Sequence, residues 1–535
     1  MMHKARKIFA LVMIISLIGL SLVGCGGATD NDGKDAGEAG PSEQVLHYYI
    51  TDEPVLDPQA GQYNYEFEVM NNIYEGLLRV GKNQEYENAL AEKVTTSEDG
   101  LIWTFNIREA KWSDGSPITA QDFVYGITRA TSEELSSIYA FIIDDYVQKV
   151  EATDDKTLVI TLKNPTPYFE SLLTFATYYP VKQEFVEQAG ESFGKDLNSL
   201  LFSGPFKVVA WDQDQRLVFE KNENYWDAGN VKLEQITLDI IKDSSSALNL
   251  YLSGDLDRVG LSRDNVNAYK DDPQYAAEYT SEPDPTIFYL MFNTKTDILQ
   301  NANIRKALSY GFDRENYVNI ILNNGSLPAY GFVPPALPGP EGKTFREANG
   351  ELVTTDLKRA EEFLKAGLAE LGLSKLPALR YLGYDTETGV KGSEFIKDMY
   401  RKLGVDIVIE NLPAAAVKEK RKTGDFDLFF GGWGPDYWDP MTFMDLFVSG
   451  GTFNEGKYSN ARYDEIINFG KTTNDFKARM DQMLEAEKIL VQEDAGIAPI
   501  YFKGTARLTK PYVKDFISHN FGAESSWKWT YIEGK

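Results

Sequence analysis

From about residue 45 onward, runs that are apolar at every second position alternate with runs of helical spacing, and a chain patterned this way folds as mixed α/β layers. Leu101, Trp103, Phe105 and Ile107 alternate with Ile102, Thr104 and Asn106. The same period recurs at Leu158, Ile160 and Leu162, at Leu217 and Phe219, and at Ile236, Leu238 and Ile240, each predicting a strand with one buried face. Helical spacing appears at Ile304, Ala307 and Leu308 and at Phe476, Met480, Met483 and Leu490; a further helix from Thr355 to about Ala369 is expected to turn Leu357, Ala360 and Leu364 inward. About 490 residues are too many for one core, so two or three domains are expected, with no repeat at solenoid spacing. The breaker-rich stretch 328–340 reads as an ordered surface loop whose apolar residues need cover.

The one cysteine, Cys25, follows a basic start (Lys4, Arg6, Lys7) and an apolar run from Ile8 to Val23. That run is shorter than the roughly 20 residues a membrane span requires, and it ends in small residues. The segment resembles the bacterial lipoprotein signal, which implies that residues 1–24 are removed and Cys25 carries the lipid. Residues 25–44 lack any apolar period and read as a disordered tether reaching about 25 Å. No later stretch has the length of a membrane span, and without cysteine beyond Cys25 the body forms no disulfide or thiolate metal site. The formal charge is −27, and −30 once the three cations of the signal are lost, which repels nucleic acid and anionic lipid heads and favours cationic or zwitterionic ligands.

Little in the sequence supports catalysis. His47 and His519 are the histidines left after the signal; neither has a triad or metal motif around it, and both are expected at the surface. With 81 acidic residues, paired carboxylates carry no information about glycoside hydrolysis. Gly342-Lys343-Thr344 lacks the earlier glycine of a phosphate loop, Leu337 standing there, and the acidic residues near Asn31 are too few for a calcium loop. No cofactor or metal is expected. The dense exception is 426–440, where an apolar strand runs into Gly431, Gly432, Trp433 and Gly434, then the turn carrying Asp436 and Asp439. A bare strand edge ending at a carboxylate suits an extended peptide with a free amino terminus, while Asp436 and Asp439 could equally cap turns.

Several segments taken together resemble the oligopeptide-binding lipoproteins of ABC importers, the family 5 extracellular solute-binding proteins. They are Tyr74-Glu75-Gly76-Leu77-Leu78, Trp103 to Arg108, Lys111 to Phe123, Ser203-Gly204-Pro205-Phe206, Asn224-Tyr225-Trp226, Ile304 to Leu308 and Gly432 to Tyr437. The resemblance implies a two-lobed, hinged, periplasmic-binding-protein-like clamshell of α/β class with an inserted domain. Lobe one would comprise 45–64, 189–290 and 504–535, the insert 65–188 and lobe two 291–503, crossing at the strands Ile287 to Phe292 and Pro499 to Phe502. It further implies that Asp436 meets the ligand's amino terminus and that Gly432, Trp433 and Gly434 pair with its backbone. Gln62, Tyr63 and Asn64 would be the backbone partners on the other lobe, Tyr139 and Tyr289 would line the cleft, and Arg421 would meet the ligand's carboxylate or lie in solvent as a surface charge. Two positions depart from the pattern: Phe430 stands where some peptide binders are basic, and Ala414 where a cleft tryptophan occurs. The implied protein is a monomer on the outer face of the cytoplasmic membrane, lipid-anchored, with a peptide ligand and a membrane ABC permease as partners. Same-fold alternatives are a dipeptide, cell-wall or signalling peptide, glutathione or a nickel chelate; a surface hydrolase and an adhesin are the readings of other classes.

Overall fold

The computed structural model describes residues 43–535, so the expected export signal, Cys25 and all but the last two residues of the expected tether lie outside the described residues. The last of these is already part of the body: the Gln44 carboxamide donates to the Ile532 carbonyl (2.8 Å) and accepts from the Ile532 N–H (3.1 Å).

Three larger sheets organise the described residues. In the first, Val45–Ile50 runs parallel to Gln235–Ile240, followed by antiparallel Arg216–Lys221 and Phe206–Asp212. The second is an antiparallel set in the order Ala91–Thr96, Ile102–Ile107, Thr157–Leu162, Val147–Asp154. The third has seven strands, among them the long pair Tyr279–Phe292 and Ile497–Thr509 at its centre, with Leu428–Trp433, Leu379–Tyr384 and Ile407–Leu412 on one side and Arg258–Gly260 on the other. Both strands expected to cross between lobes lie in that long pair. Its ladder is irregular between Pro283 and Ile287, where Asp284, Pro285 and Thr286 stand against Lys503 alone. Asp284 and Lys503 close this bulge with an ion pair at 2.9 Å.

The alternating runs are strands, and the 304–308 and 476–488 spacings fall on helices Ala302–Tyr310 and Phe476–Lys488. One inward residue is corrected. The helix expected from Thr355 is Leu357–Leu371, with Asp356 as N-cap accepting from the Arg359 N–H; Leu357 in its first turn is 47 % exposed, while Ala360 is buried. The 328–340 loop is more than a surface feature: Phe332, Val333 and Leu337 are fully buried. The cover comes with polar pinning, since buried Glu487 accepts the Phe332 and Val333 N–H groups and pairs with Arg346 through two bonds of 2.7 Å. Thr344 caps helix Phe345–Asn349 by a reciprocal box with Glu347, which is why Gly342-Lys343-Thr344 is a helix start.

The histidines also need correction, since both are partly buried. His519 hydrogen-bonds Ser526 Oγ (2.6 Å) through Nε2, its Nδ1 is buried without a partner, and burial pushes the imidazole down to about 4.

Candidate functional site

The strand Leu428–Trp433 is where the fold leaves backbone uncovered. One side pairs in full with the long strand, Ile287 opposite Trp433 through Phe292 opposite Leu428. On the other side the neighbouring strand is in register only at Tyr381–Leu428 and Leu382–Phe429, so Phe430 to Trp433 have no strand beyond them. The glycines serve the paired side. The Tyr289 ring lies over Gly431 and the Phe288 ring over Gly432, each directly across the ladder, and a Cβ on Gly432 would sit 2.6 Å from the Phe288 ring. Gly432→Val is therefore expected to lower stability by about 1–3 kcal/mol through overpacking, read from urea denaturation.

At the end of this edge the turn 435–439 places Asp436 inside the protein, 9 % exposed. Its backbone N–H donates to Thr442 Oγ1 (3.2 Å), but carboxylate Oδ2 is buried with no hydrogen-bond partner. Burial, then the charge of Asp445, pushes the Asp436 carboxyl far above the usual carboxylate range. Asp439 holds the turn from the far side: it accepts the Met441 N–H (2.9 Å) and forms a two-bond pair with the fully buried Arg479. Around Asp436 stand Trp433, stacked edge-on against Phe453 (4.6 Å), and Tyr139, whose phenol feels the Asp436 charge; Tyr139 and Phe141 meet Phe453 at 6.0 and 5.8 Å. Gly434 lies against Thr286, beside the bulge of the long pair.

The segment Gln62, Tyr63 and Asn64 enters helix Asn64–Ile73 and is fixed by Glu66, whose carboxylate accepts the N–H groups of Val55, Gln62 and Tyr63. The expectation of a backbone partner is narrowed accordingly: the amides of Gln62 and Tyr63 are already engaged. Across from them Lys418 Nζ donates to Gln62 Oε1 (2.8 Å).

Two further expectations change. Tyr289 is a core ring, 4 % exposed and edge-on to Phe332 and Phe447, because Gly431 makes room for it beneath the sheet. Arg421 is neither free nor a solvated surface charge, since its Nε binds Glu455 (2.6 Å) and its guanidinium lies 4.5 Å from the Phe429 ring. A ligand carboxylate there would share it with Glu455.

The turn 435–439 is also gripped by residues distant in sequence. Pro435 accepts from the Gly522 N–H (2.9 Å), the Trp438 N–H donates to Ser171 Oγ (2.7 Å), and Tyr437 stacks on Tyr168 (5.3 Å, 9° between planes). Lys471 pairs with Asp145 (2.6 Å) and reaches Asp445 (3.7 Å), which burial pushes up to about 6 against the pull of Lys471. Sequence reading missed Phe453, Asp445, Lys471 and Ser171, none of which sits in a motif.

Residues 85–455 match the family described as bacterial extracellular solute-binding proteins, family 5 Middle. The chain belongs to that family. Among family 5 relatives, the dipeptide-binding protein DppE of Bacillus subtilis (strain 168) is 32% identical over 97% of this chain and 98% of its own. The structure of Listeria monocytogenes OppA bound to peptide is 34% identical, covers 92% of this chain and 100% of its own, and superposes with a TM-score of 0.84. The fold is accordingly the two-lobed clamshell of these proteins. Two structures of the murein tripeptide binding protein MppA, one of them named as that of Escherichia coli, each cover 92% of this chain. One, 29% identical and covered over 99% of its length, gives a TM-score of 0.82; the unliganded open form, 30% identical and covered over 98%, gives 0.68. At nearly equal identity, the chain fits that open form less well than the other structure.

Proposed function

We propose that this protein captures short peptides by their free amino terminus outside the cytoplasmic membrane and hands them intact to an ABC permease. The observation that carries the reading is Asp436, a buried carboxylate with one oxygen unpartnered, placed where an uncovered strand edge ends. A peptide ammonium supplies the missing charge-assisted bonds, and the edge from Phe430 to Trp433, about 10 Å long at strand rise, accepts an extended backbone of two to four residues by strand addition. The relatives that bind dipeptides and peptides support this ligand class. Side chains of the ligand would lie among waters, which bridge varied groups at about 0–2 kcal/mol each, so termini rather than sequence decide what is held.

In this reading residues 45–64, 189–290 and 504–535 form lobe one, 65–188 the insert and 291–503 lobe two, bending at the bulge around Asp284. Residues 1–24 serve export and Cys25 carries the lipid that keeps the protein at the outer face of the cytoplasmic membrane, where it works as a monomer. Mass spectrometry of material extracted from the purified protein is expected to find unmodified peptides of two to four residues. In calorimetry N-acetylated alanine peptides are expected to bind at least about 30-fold more weakly than free ones; equal affinity would refute the amine anchor.

A further inference from the structure

The groups about Asp436 and the turn that carries it come from both of the proposed lobes. Trp433, Tyr437, Thr442 and Asp445 come from its own side of the cleft. Tyr139, whose phenol feels the Asp436 charge, and Tyr168 and Ser171, which hold Tyr437 and Trp438, belong to the proposed insert, and Gly522, which holds Pro435, to the C-terminal segment; on the proposed division they leave when the lobes part. We infer that closure of this clamshell is licensed by charge: the lobes come together when an ammonium, or failing that a proton, neutralises Asp436. This rests on the reading of Asp436 as the ligand's amine anchor and adds how the empty protein is kept from closing.

Among the described residues about the site, no cation substitutes for the ligand. Of the charged and titratable groups about the site, Asp445 is a second carboxylate, Tyr139 and Tyr437 are phenols, and Lys471 is engaged by Asp145 and Asp445. An ionised carboxylate taken from water without a partner is strongly disfavoured, so it takes up a proton or stays hydrated. Opening hydrates Asp436 and removes most of the burial that raises it, while the Asp445 charge stays; closed and empty, it is shifted far upward. The closed empty form therefore binds the proton more tightly, and falling pH drives it shut. Above the closed-state value the penalty stands in full, and below the open-state value it vanishes. Asp445, raised to about 6, adds to the effect with the same sign. An empty carrier that stays open at neutral pH does not occupy the permease unproductively.

The test is small-angle scattering on the full chain, stripped of ligand by unfolding and refolding, as wild type and Asp436→Asn at pH 7.5 and 5.0. The wild type is expected to be open at pH 7.5 and to compact at pH 5.0. Asp436→Asn should be compact at both, its closed fraction at pH 7.5 exceeding that of the wild type by roughly tenfold or more. If Asp436→Asn does not fold, the wild-type pH series decides alone. Equal compaction of the two proteins at pH 7.5, or a wild-type radius of gyration that does not fall between pH 7.5 and 5.0, overturns the inference. Calorimetry with a mixture of di-, tri- and tetraalanine, free and N-acetylated, tests the anchor separately. A variant that loses affinity for free peptides yet stays open when empty sinks the charge licence and leaves the anchor standing.

Discussion

Asp436→Ala is expected to weaken binding of a free-amine peptide by about 2–5 kcal/mol, roughly 30- to several thousand-fold in Kd, measured by calorimetry at neutral pH. The size follows from the site. Oδ2 has no protein partner, the Asp445 carboxylate nearby raises rather than relieves the local negative potential, and the surrounding rings keep solvent from screening the contact. Nothing else among the described neighbours of Asp436 offers a carboxylate free to replace it, because Asp445 is occupied by Lys471 and the Tyr437 hydroxyl. The effect should also be specific to one chemical group. In the alanine variant, acetylating the peptide should make little further difference, so the two changes fail to add, as expected of partners in one contact. An affinity within about 0.5 kcal/mol of wild type would remove Asp436 from the binding contact.

Asp439→Ala is expected to destabilise the ligand-free protein by about 3–5 kcal/mol, seen as an earlier urea transition in tryptophan fluorescence. The Arg479 side chain is fully inaccessible; two of its bonds go to Asp439 and a third, from Nε, to the Gly470 carbonyl (3.0 Å). Removing the carboxylate leaves a buried guanidinium with a single backbone acceptor and a Tyr168 ring 4.6 Å away, which is far from enough to replace the lost solvation. Asp439→Ala combined with Arg479→Met should regain most of the loss, since the penalty lies in the orphaned charge and not in the absent pair. A single variant as stable as wild type would mean that water reaches Arg479. Because Asp439 fixes the far end of the turn 435–439, the single variant should also loosen the position of Asp436 and weaken peptide binding.

Strands were legible wherever one face is buried, as at 101–107 and 236–240, because a period of two survives any tertiary arrangement. Leu357 was misread because the first turn of a helix, just past its Asp356 cap, points where the neighbouring loop allows and not where the period suggests. The motifs that carried the family resemblance mostly hold the fold together. Tyr225 and Arg79 bind Glu75, Gly204 lies so close to the backbone of Ile73 and Tyr74 that a Cβ would come within 2.6 Å, and Arg305 donates to the carbonyls of Leu299, Gln300, Asp494 and Ala495. Of the site, Asp436 was legible because a strand, glycines, a proline and an acid in succession describe an edge and a turn. Phe453, Ser171 and Lys471 were not, since their contacts with Tyr139, Trp438 and Asp145 join segments far apart in the sequence. The engagement of the Gln62 and Tyr63 amides by Glu66 was hidden for a related reason: an acid near a helix start is common, and where its oxygens go depends on the path of the preceding loop.

The long strand pair continues on both sides of the irregularity at 284–286, and Pro283 and Pro285 carry no amide donor that the pairing could lose. On the proposed division, a rotation of one half against the other would be absorbed as torsion of the ribbon at 284–286, next to a second register shift between Phe288 and Tyr289. Repeated loading and unloading would leave no residue misaligned, and an amide-exchange experiment should find fast exchange confined to 284–287 between two slow flanks. On that division the ribbon would behave as a spring whose rest angle, rather than any rearranged core, sets how wide the jaws stand.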